Sequence, residues 1–310
     1  MNRREFFQSG SVLAGAALFS GCSLSRRAQP SSNFSYCLNT STIRGQKLGL
    51  LKEIETVAQA GYDGIEIWMR DLQACVKEGG APADVKKLAQ DLGLRIESAI
   101  SFPRWIVDDD NERAQALEQA RQEMDLLAQI GCPRMAAPPV GATAKTGLDL
   151  AEAAKRYRAL LDIGDQTGIL PQLELWGFSA NLYRIGDALF VAAESGHPNA
   201  CLLLDVYHIY KGGSDFNGLK LINGDHMHMF HVNDYPAEPP RSDIKDSDRV
   251  YPGDGVAPLN HILKDLSDKN SPIILSLELF RPALWEQDAL EVAKTGLEKM
   301  KLAVAKGENR

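Results

Sequence analysis

Eight times between residues 34 and 305 the chain passes from a short apolar run of strand length, through a loop, into a segment of helical period. This alternation constrains the fold more than any other feature, because strands joined by helical crossovers run in one direction and build a parallel sheet. The apolar runs cover 34–39, 64–68, 94–100, 134–137, 169–176, 201–205, 227–232 and 272–280. Helical period covers 47–60, 82–92, 111–130, 148–167, 181–195, 258–267 and 286–305, with a weaker segment at 216–223. Five of these segments stop at Gly61, Gly93, Gly131, Gly168 and Gly196, and Pro82 stands where a helix tolerates proline, in its first turn. No linker divides the units, so the expectation is a single-domain α/β fold, a (β/α)8 TIM barrel over 34–310. An open doubly wound sheet is the rival, but it usually carries a Gly-rich phosphate turn after the first strand. Leu38-Asn-Thr-Ser-Thr42 is not one.

Residues 1–22 follow different rules. Asn2-Arg-Arg-Glu-Phe-Phe7 is a charged start, and 9–21 is small, apolar and too short to span a membrane. The pattern reads as an export signal of twin-arginine type, and Leu18-Phe-Ser-Gly-Cys22 resembles a lipoprotein cleavage box with Cys22 as the lipidation site. Phe19 departs from the Leu, Val or Ile usual at its position in that box. Residues 23–33 then form a polar tether. The chain is therefore expected outside the cytoplasm, periplasmic or anchored as a lipoprotein, touching membrane only through that anchor. A twin-arginine route carries folded chains, which would allow a metal to be loaded before export.

Lys plus Arg number 34 and Asp plus Glu 41, so the formal charge is 34 − 41 = −7, and no dense basic cluster exists to meet a phosphate backbone. Nucleic acid is excluded as an expected partner. Beyond Cys22 the cysteines are Cys37, Cys75, Cys132 and Cys201, scattered and without a CxxC pair, which argues against a thiolate metal cluster. Cys37 and Cys201 lie in strand-like runs and are expected as buried free thiols.

In a parallel barrel the C-terminal strand ends face the active side. Glu278 sits near the end of the apolar run 272–280, where an ionised carboxylate is costly unless paired or bound to metal. Glu174, Asp205 and His231 occupy the matching places on the fifth, sixth and seventh runs. Taken singly, each has a structural explanation: an ion pair, a loop cap, a satisfied core histidine. Four on consecutive units form a hard, oxygen-rich donor set for one divalent ion, with Mn2+ the first expectation and Co2+, Mg2+ or Zn2+ its alternatives. Glu66 faces the mouth or an ion pair inside the barrel, and Trp176 shares the face of Glu174, set to stack on a sugar or fill space. His226 and His228 alternate with His231 and fall on the other face.

Six fragments in order carry a resemblance: Tyr62-Asp-Gly-Ile-Glu-Ile67, Leu173-Glu-Leu-Trp-Gly177, Leu203-Leu-Asp-Val-Tyr-His208, His231-Val-Asn-Asp234, Asp248-Arg-Val-Tyr-Pro-Gly-Asp-Gly255 and Ser276-Leu-Glu-Leu-Phe-Arg-Pro282. The chain resembles the xylose-isomerase-like TIM barrels of the sugar isomerase and epimerase superfamily, most closely the inosose (2-keto-myo-inositol) isomerase group. The resemblance implies that Glu174, Asp205, His231 and Glu278 are metal ligands and that His208 and Arg249 lie near the substrate oxygens; Glu66 and Trp176 join the candidate substrate-lining set by strand position alone. It implies an isomerase or epimerase of a keto-sugar or keto-inositol, with Glu174 and Glu278 moving protons through an enediolate held at the ion. Both glutamates are expected as ionised bases beside that cation. Related dehydratases and lyases begin with the same proton abstraction on a keto-sugar or keto-glycoside, so elimination is the alternative. A non-catalytic sugar-binding lipoprotein is a second one, disfavoured by two opposed bases. Apurinic-site endonucleases share the barrel but use several zinc ions and more histidines. Oligomeric state is not legible.

Overall fold

The computed structural model describes residues 33–308; the expected export signal, Cys22 and the tether up to residue 32 lie outside them. Eight strands, all parallel, close into one barrel in chain order. They are β1 (Phe34–Asn39), β2 (Gly64–Trp68), β3 (Arg95–Ile100), β4 (Arg134–Ala137), β5 (Leu170–Glu174), β6 (Leu202–Asp205), β7 (Met229–Val232) and β8 (Ile273–Leu277). Around them run α1 (Leu50–Ala60), α2 (Met69–Lys77), α3 (Pro82–Asp91), α4 (Asp110–Ile130), α5 (Leu150–Thr167), α6 (Ile185–Glu194), α7 (Val206–Gly212), α8 (Leu259–Ser267), α9 (Pro282–Trp285) and α10 (Ala289–Glu308). Among the described residues no helix is long and apolar enough to cross a membrane.

Local chemistry sets the boundaries. Asp109 and Asp149 cap α4 and α5 by accepting from first-turn N–H groups, and Gly131 and Gly168 end the same helices at positive φ. The helix expected from residue 47 starts only at Leu50, because Lys47 and Gly49 both hold positive φ and the preceding turn, Thr40–Gln46, is a 3-10 helix. The expected helix over 181–195 is shortened to α6, and the segment at 216–223 is a 3-10 helix, Phe216–Leu221. Two further helices start directly at strand ends, α2 after Trp68 and α7 after Asp205.

Two cores result. The larger lies between barrel and helices; the smaller fills the barrel with Cys37, Trp68, Ile100, Ala136, Leu203, Met229 and Ile274. Cys37 on β1 and Cys201 just before β6 are the expected buried free thiols; Cys132 is buried as well, and Cys75, on α2, is half-buried.

Candidate active site

Side chains alternate across a strand, so the inner core dictates which residues reach the mouth. Leu203 and Met229 point inward, and two positions later so do Asp205 and His231; Ile274 is followed on the same face by Ser276 and then Glu278. Register brings them level. Asp205 lies opposite His231, His231 opposite Ser276, and Asn39 opposite Glu66.

Asp205, His231 and Glu278 each offer a ligand atom within 4.8 Å of the others. His231 Nε2 is 2.9 Å from Glu66 Oε2, while its Nδ1 lies 3.3 Å from Glu278 Oε2 and 3.9 Å from Asp205 Oδ2 without an aligned hydrogen bond. A histidine that donates one ring N–H to a carboxylate and leaves the other nitrogen facing acids is arranged as a metal-ligating histidine is. Glu66 thus lies under the floor, fully buried, accepting also from Asn39 (2.9 Å) and Ser276 (2.8 Å). It meets His231 there; the cavity above is walled by other residues.

Arg249, fully buried, binds the same acids. Its Nη1 donates to Asp205 Oδ2 (3.0 Å) and Glu278 Oε2 (2.7 Å), its Nη2 to Asp246 (2.5 Å), and its plane covers the Tyr207 ring at 4.4 Å. Arg249 Nη2 also stands 3.1 Å from His208 Nε2; a guanidinium can only donate, so that nitrogen presents its lone pair. Gly177 makes room for the turn that carries His208: a Cβ there would run into the His208 carbonyl.

The charges do not balance within the chain. Glu66, Glu174, Asp205 and Glu278 are all buried, against one guanidinium and the imidazole of His231. Burial alone would lower the His231 pKa, but Glu66 and Glu278 raise it well above its ordinary value. Glu278 is held well below the usual carboxylate range: burial pushes up, and His231 and Arg249 outweigh it. Burial raises Asp205 despite Arg249. Glu174 goes the other way from Glu278, pushed up to about 8 by burial, with His231 opposing and Glu278 adding. Its Oε2 is buried with no hydrogen-bond partner. An unpartnered carboxylate oxygen and an unbonded His231 Nδ1 beside excess negative charge fit a bound cation, so Asp205, His231 and Glu278, with Glu174 as the fourth group, could hold a divalent ion. Both glutamates are expected to be ionised beside that ion; the chain's own charges hold only Glu278 in that form. Burial lowers the His208 pKa well below its ordinary value, and Arg249 adds to that, keeping the ring neutral.

Above this floor opens a cavity of about 440 Å3 that Glu174, Trp176, His208, Arg249 and Glu278 reach. Several of its features escape sequence reasoning. Asn39, at the end of β1, donates to both Glu66 (2.9 Å) and Glu278 (3.2 Å). Asn233 donates to Asp205 at 2.9 Å. Both sit at or just past strand ends, the signal that located the acids. Trp68, Phe102, Phe178, Phe280 and Trp285 wall the cavity with Trp176, and Arg44 joins them.

The sequence model described as "Xylose isomerase-like TIM barrel" matches residues 54–302. Inosose isomerase of Bacillus velezensis is 25% identical over 276 residues, covering 87% of this chain and 97% of that protein. The 3-dehydroshikimate dehydratase of Pseudomonas aeruginosa is 27% identical over 241 residues, 74% of this chain but 36% of that protein. Among solved structures, the IOLI protein with a binding zinc atom superposes with a TM-score of 0.82 at 22% identity, covering 88% of this chain and 98% of that one.

Proposed function

The chain belongs to the xylose isomerase-like TIM barrel family, and from that premise we propose that it is a divalent-metal-dependent isomerase or epimerase of a keto-sugar or keto-inositol. One observation carries the reading: Asp205, His231 and Glu278 converge within 4.8 Å at the barrel mouth, beside Glu174 and at the base of a cavity. The similarity to inosose isomerase, and the zinc named with the IOLI protein, support it.

Asp205, His231 and Glu278, with Glu174, would hold the ion, which would supply Lewis-acid stabilisation for negative charge on the substrate's carbonyl oxygen. Glu66 fixes the His231 ring by taking its Nε2–H, which would leave Nδ1 free to meet an ion. Arg249 holds Glu278 and Asp205 in place and directs its charge at the cavity, where it stabilises substrate oxygens. Neutral His208, held at Nε2 by Arg249, lines the cavity where a substrate hydroxyl would lie. Glu278, just past β8, and Glu174, at the end of β5, are the two carboxylates placed to remove the proton beside the carbonyl and to return one. Trp176 closes the side of the cavity next to Glu174.

A second reading is favoured by the 27% identity to a dehydratase: the same proton removal followed by loss of a β-substituent. The test is metal analysis, then incubation of the metal-loaded protein with keto-inositols, ketoses and keto-glycosides. Products of unchanged mass support isomerisation, and loss of water or of an aglycone supports elimination. Binding with no turnover of any member of the panel contradicts both and leaves a sugar receptor.

For location, we propose export through the pattern in residues 1–22 with lipidation at Cys22. Fractionation tests it: replacing Arg3 and Arg4 by Lys is expected to hold the protein in the cytoplasm, and unchanged export contradicts it. Labelled fatty acid is expected on the wild type and not on Cys22→Ser.

A further inference from the structure

The floor of the cavity is polar, but its wall is aromatic along a continuous arc. From Phe178 the ring centroids step 5.2 Å to Trp176, 6.2 Å to Phe102, 5.5 Å to Trp68 and 6.1 Å to Phe280. At one end Phe178 meets His208 at 5.6 Å. At the other the Arg44 guanidinium covers Trp68, Phe280 and Trp285 at 5.6, 5.1 and 4.8 Å. Trp68 belongs to the inner core, with Phe280 packed against it, but core packing does not account for Phe102 and Phe178, which are 39% and 46% exposed. Contiguous exposed apolar surface beside a polar site marks a place where a ligand lies.

Aromatic faces recognise flat apolar surfaces and the C–H faces of sugar rings; they offer nothing to hydroxyl edges. The arc holds five rings, each a ring-width from the next, and one polyol whose oxygens face the floor cannot cover it. The cavity of about 440 Å3 falls in the roughly 300–1,000 Å3 range of pockets that enclose drug-sized ligands, larger than one six-membered polyol needs. We propose that the substrate has two rings: a keto ring on the acid floor and a second ring, sugar or aromatic, stacked along the arc from Phe178 to Phe280. The substrate class is then a keto-glycoside with a ring as aglycone. This rests on the reading of the floor as a proton-transfer site.

The test uses the metal-loaded full chain and three probes with the ketone on the same ring carbon: a methyl keto-hexoside, the phenyl keto-hexoside and a keto-disaccharide. Calorimetric titration is expected to show at least one two-ring probe binding tenfold or more tightly than the methyl glycoside. Phe102→Ala and Phe178→Ala, at exposed positions that leave the fold intact, are expected to remove most of that preference. The arm that binds tighter identifies the second ring as sugar or aryl. Equal affinities within twofold, a preference that survives both substitutions, or no measurable binding of either two-ring probe overturns the proposal. Solvent deuterium exchange into each probe is followed separately. Absence of exchange from all three probes contradicts the proton-transfer reading of the floor, while exchange without a two-ring preference overturns only the second subsite.

Discussion

At the scale of single residues, the site depends on which partner each buried charge finds. Glu66 is the support of His231, so Glu66→Gln, which keeps the shape but weakens the acceptor, is expected to loosen divalent-ion binding by about 10- to 100-fold. Competition against a chelator of known affinity measures this, and unchanged affinity contradicts the assignment. Glu53, on α1, is a buried acid away from the floor: burial raises its pKa to about 7, Asp71 adds and Arg70 opposes. A folded-state value above the unfolded one means the folded chain binds the proton more tightly, so stability falls as pH rises from about 4.5 through about 7. The shift corresponds to on the order of 3 kcal/mol. Glu53→Gln is expected to raise the melting temperature at pH 8 and to flatten this dependence; a pH profile identical to wild type contradicts it. At this scale the sequence was legible where a polar residue ends an apolar run, as with Glu174, Asp205, His231 and Glu278. Glu66 was visible but its partner was not, because the contact joins β2 to β7 across the barrel. Asn39 passes for an ordinary loop amide until its two carboxylates are seen.

At the scale of elements, the segment after β7 delivers Arg249 to the site. Asp234 organises it by accepting from the backbone N–H groups of Tyr235 (2.8 Å), Gly253 (3.0 Å), Gly255 (3.1 Å) and Ala257 (2.9 Å). Its own backbone bridges Val250, the neighbour of Arg249. Gly255 is required because a Cβ would run into that carboxylate. Asp234→Ala leaves these donors unpaired and is expected to cost on the order of 3 kcal/mol in stability. Activity should fall by at least tenfold, since Arg249 loses its placement. Denaturant titration and kcat/KM measure the two effects, and a variant with wild-type activity contradicts the positioning role. The missed helices α2 and α7 follow a different logic. Both begin at a strand end without an intervening loop, and at α7 Asp205 is both strand end and helix cap, accepting from the His208 N–H at 2.9 Å. A short helix without a loop before it has no period to read. The aromatic wall was hidden for a related reason: Phe102, Phe178 and Phe280 stand just past strands, where no alternation marks a face.

At the scale of the whole molecule, eight strand–helix units within one uninterrupted run made the barrel legible, and closure follows from β1 pairing with both β2 and β8. What the alternation does not contain is the charge balance at the mouth, since it depends on how four acids from four strands meet two cations. That imbalance ties stability to the ion. A ligand that binds only the folded state at a hundred times its Kd adds about 2.7 kcal/mol, so chelation is expected to lower the melting temperature by several degrees and re-addition to restore it. An unchanged transition contradicts a folded-state ion site. Solvent deuterium exchange reports whether the acid and histidine cluster moves a proton beside a carbonyl. Metal-loaded wild type, incubated in D2O with a panel of keto-inositols and keto-hexosides, is expected to place deuterium at the carbon next to the carbonyl of at least one member. Glu278→Gln, with metal content checked, is expected to lose that exchange by at least a hundredfold. No exchange into any panel member by the metal-loaded wild type, or full exchange by a metal-loaded Glu278→Gln, would contradict proton transfer by this cluster.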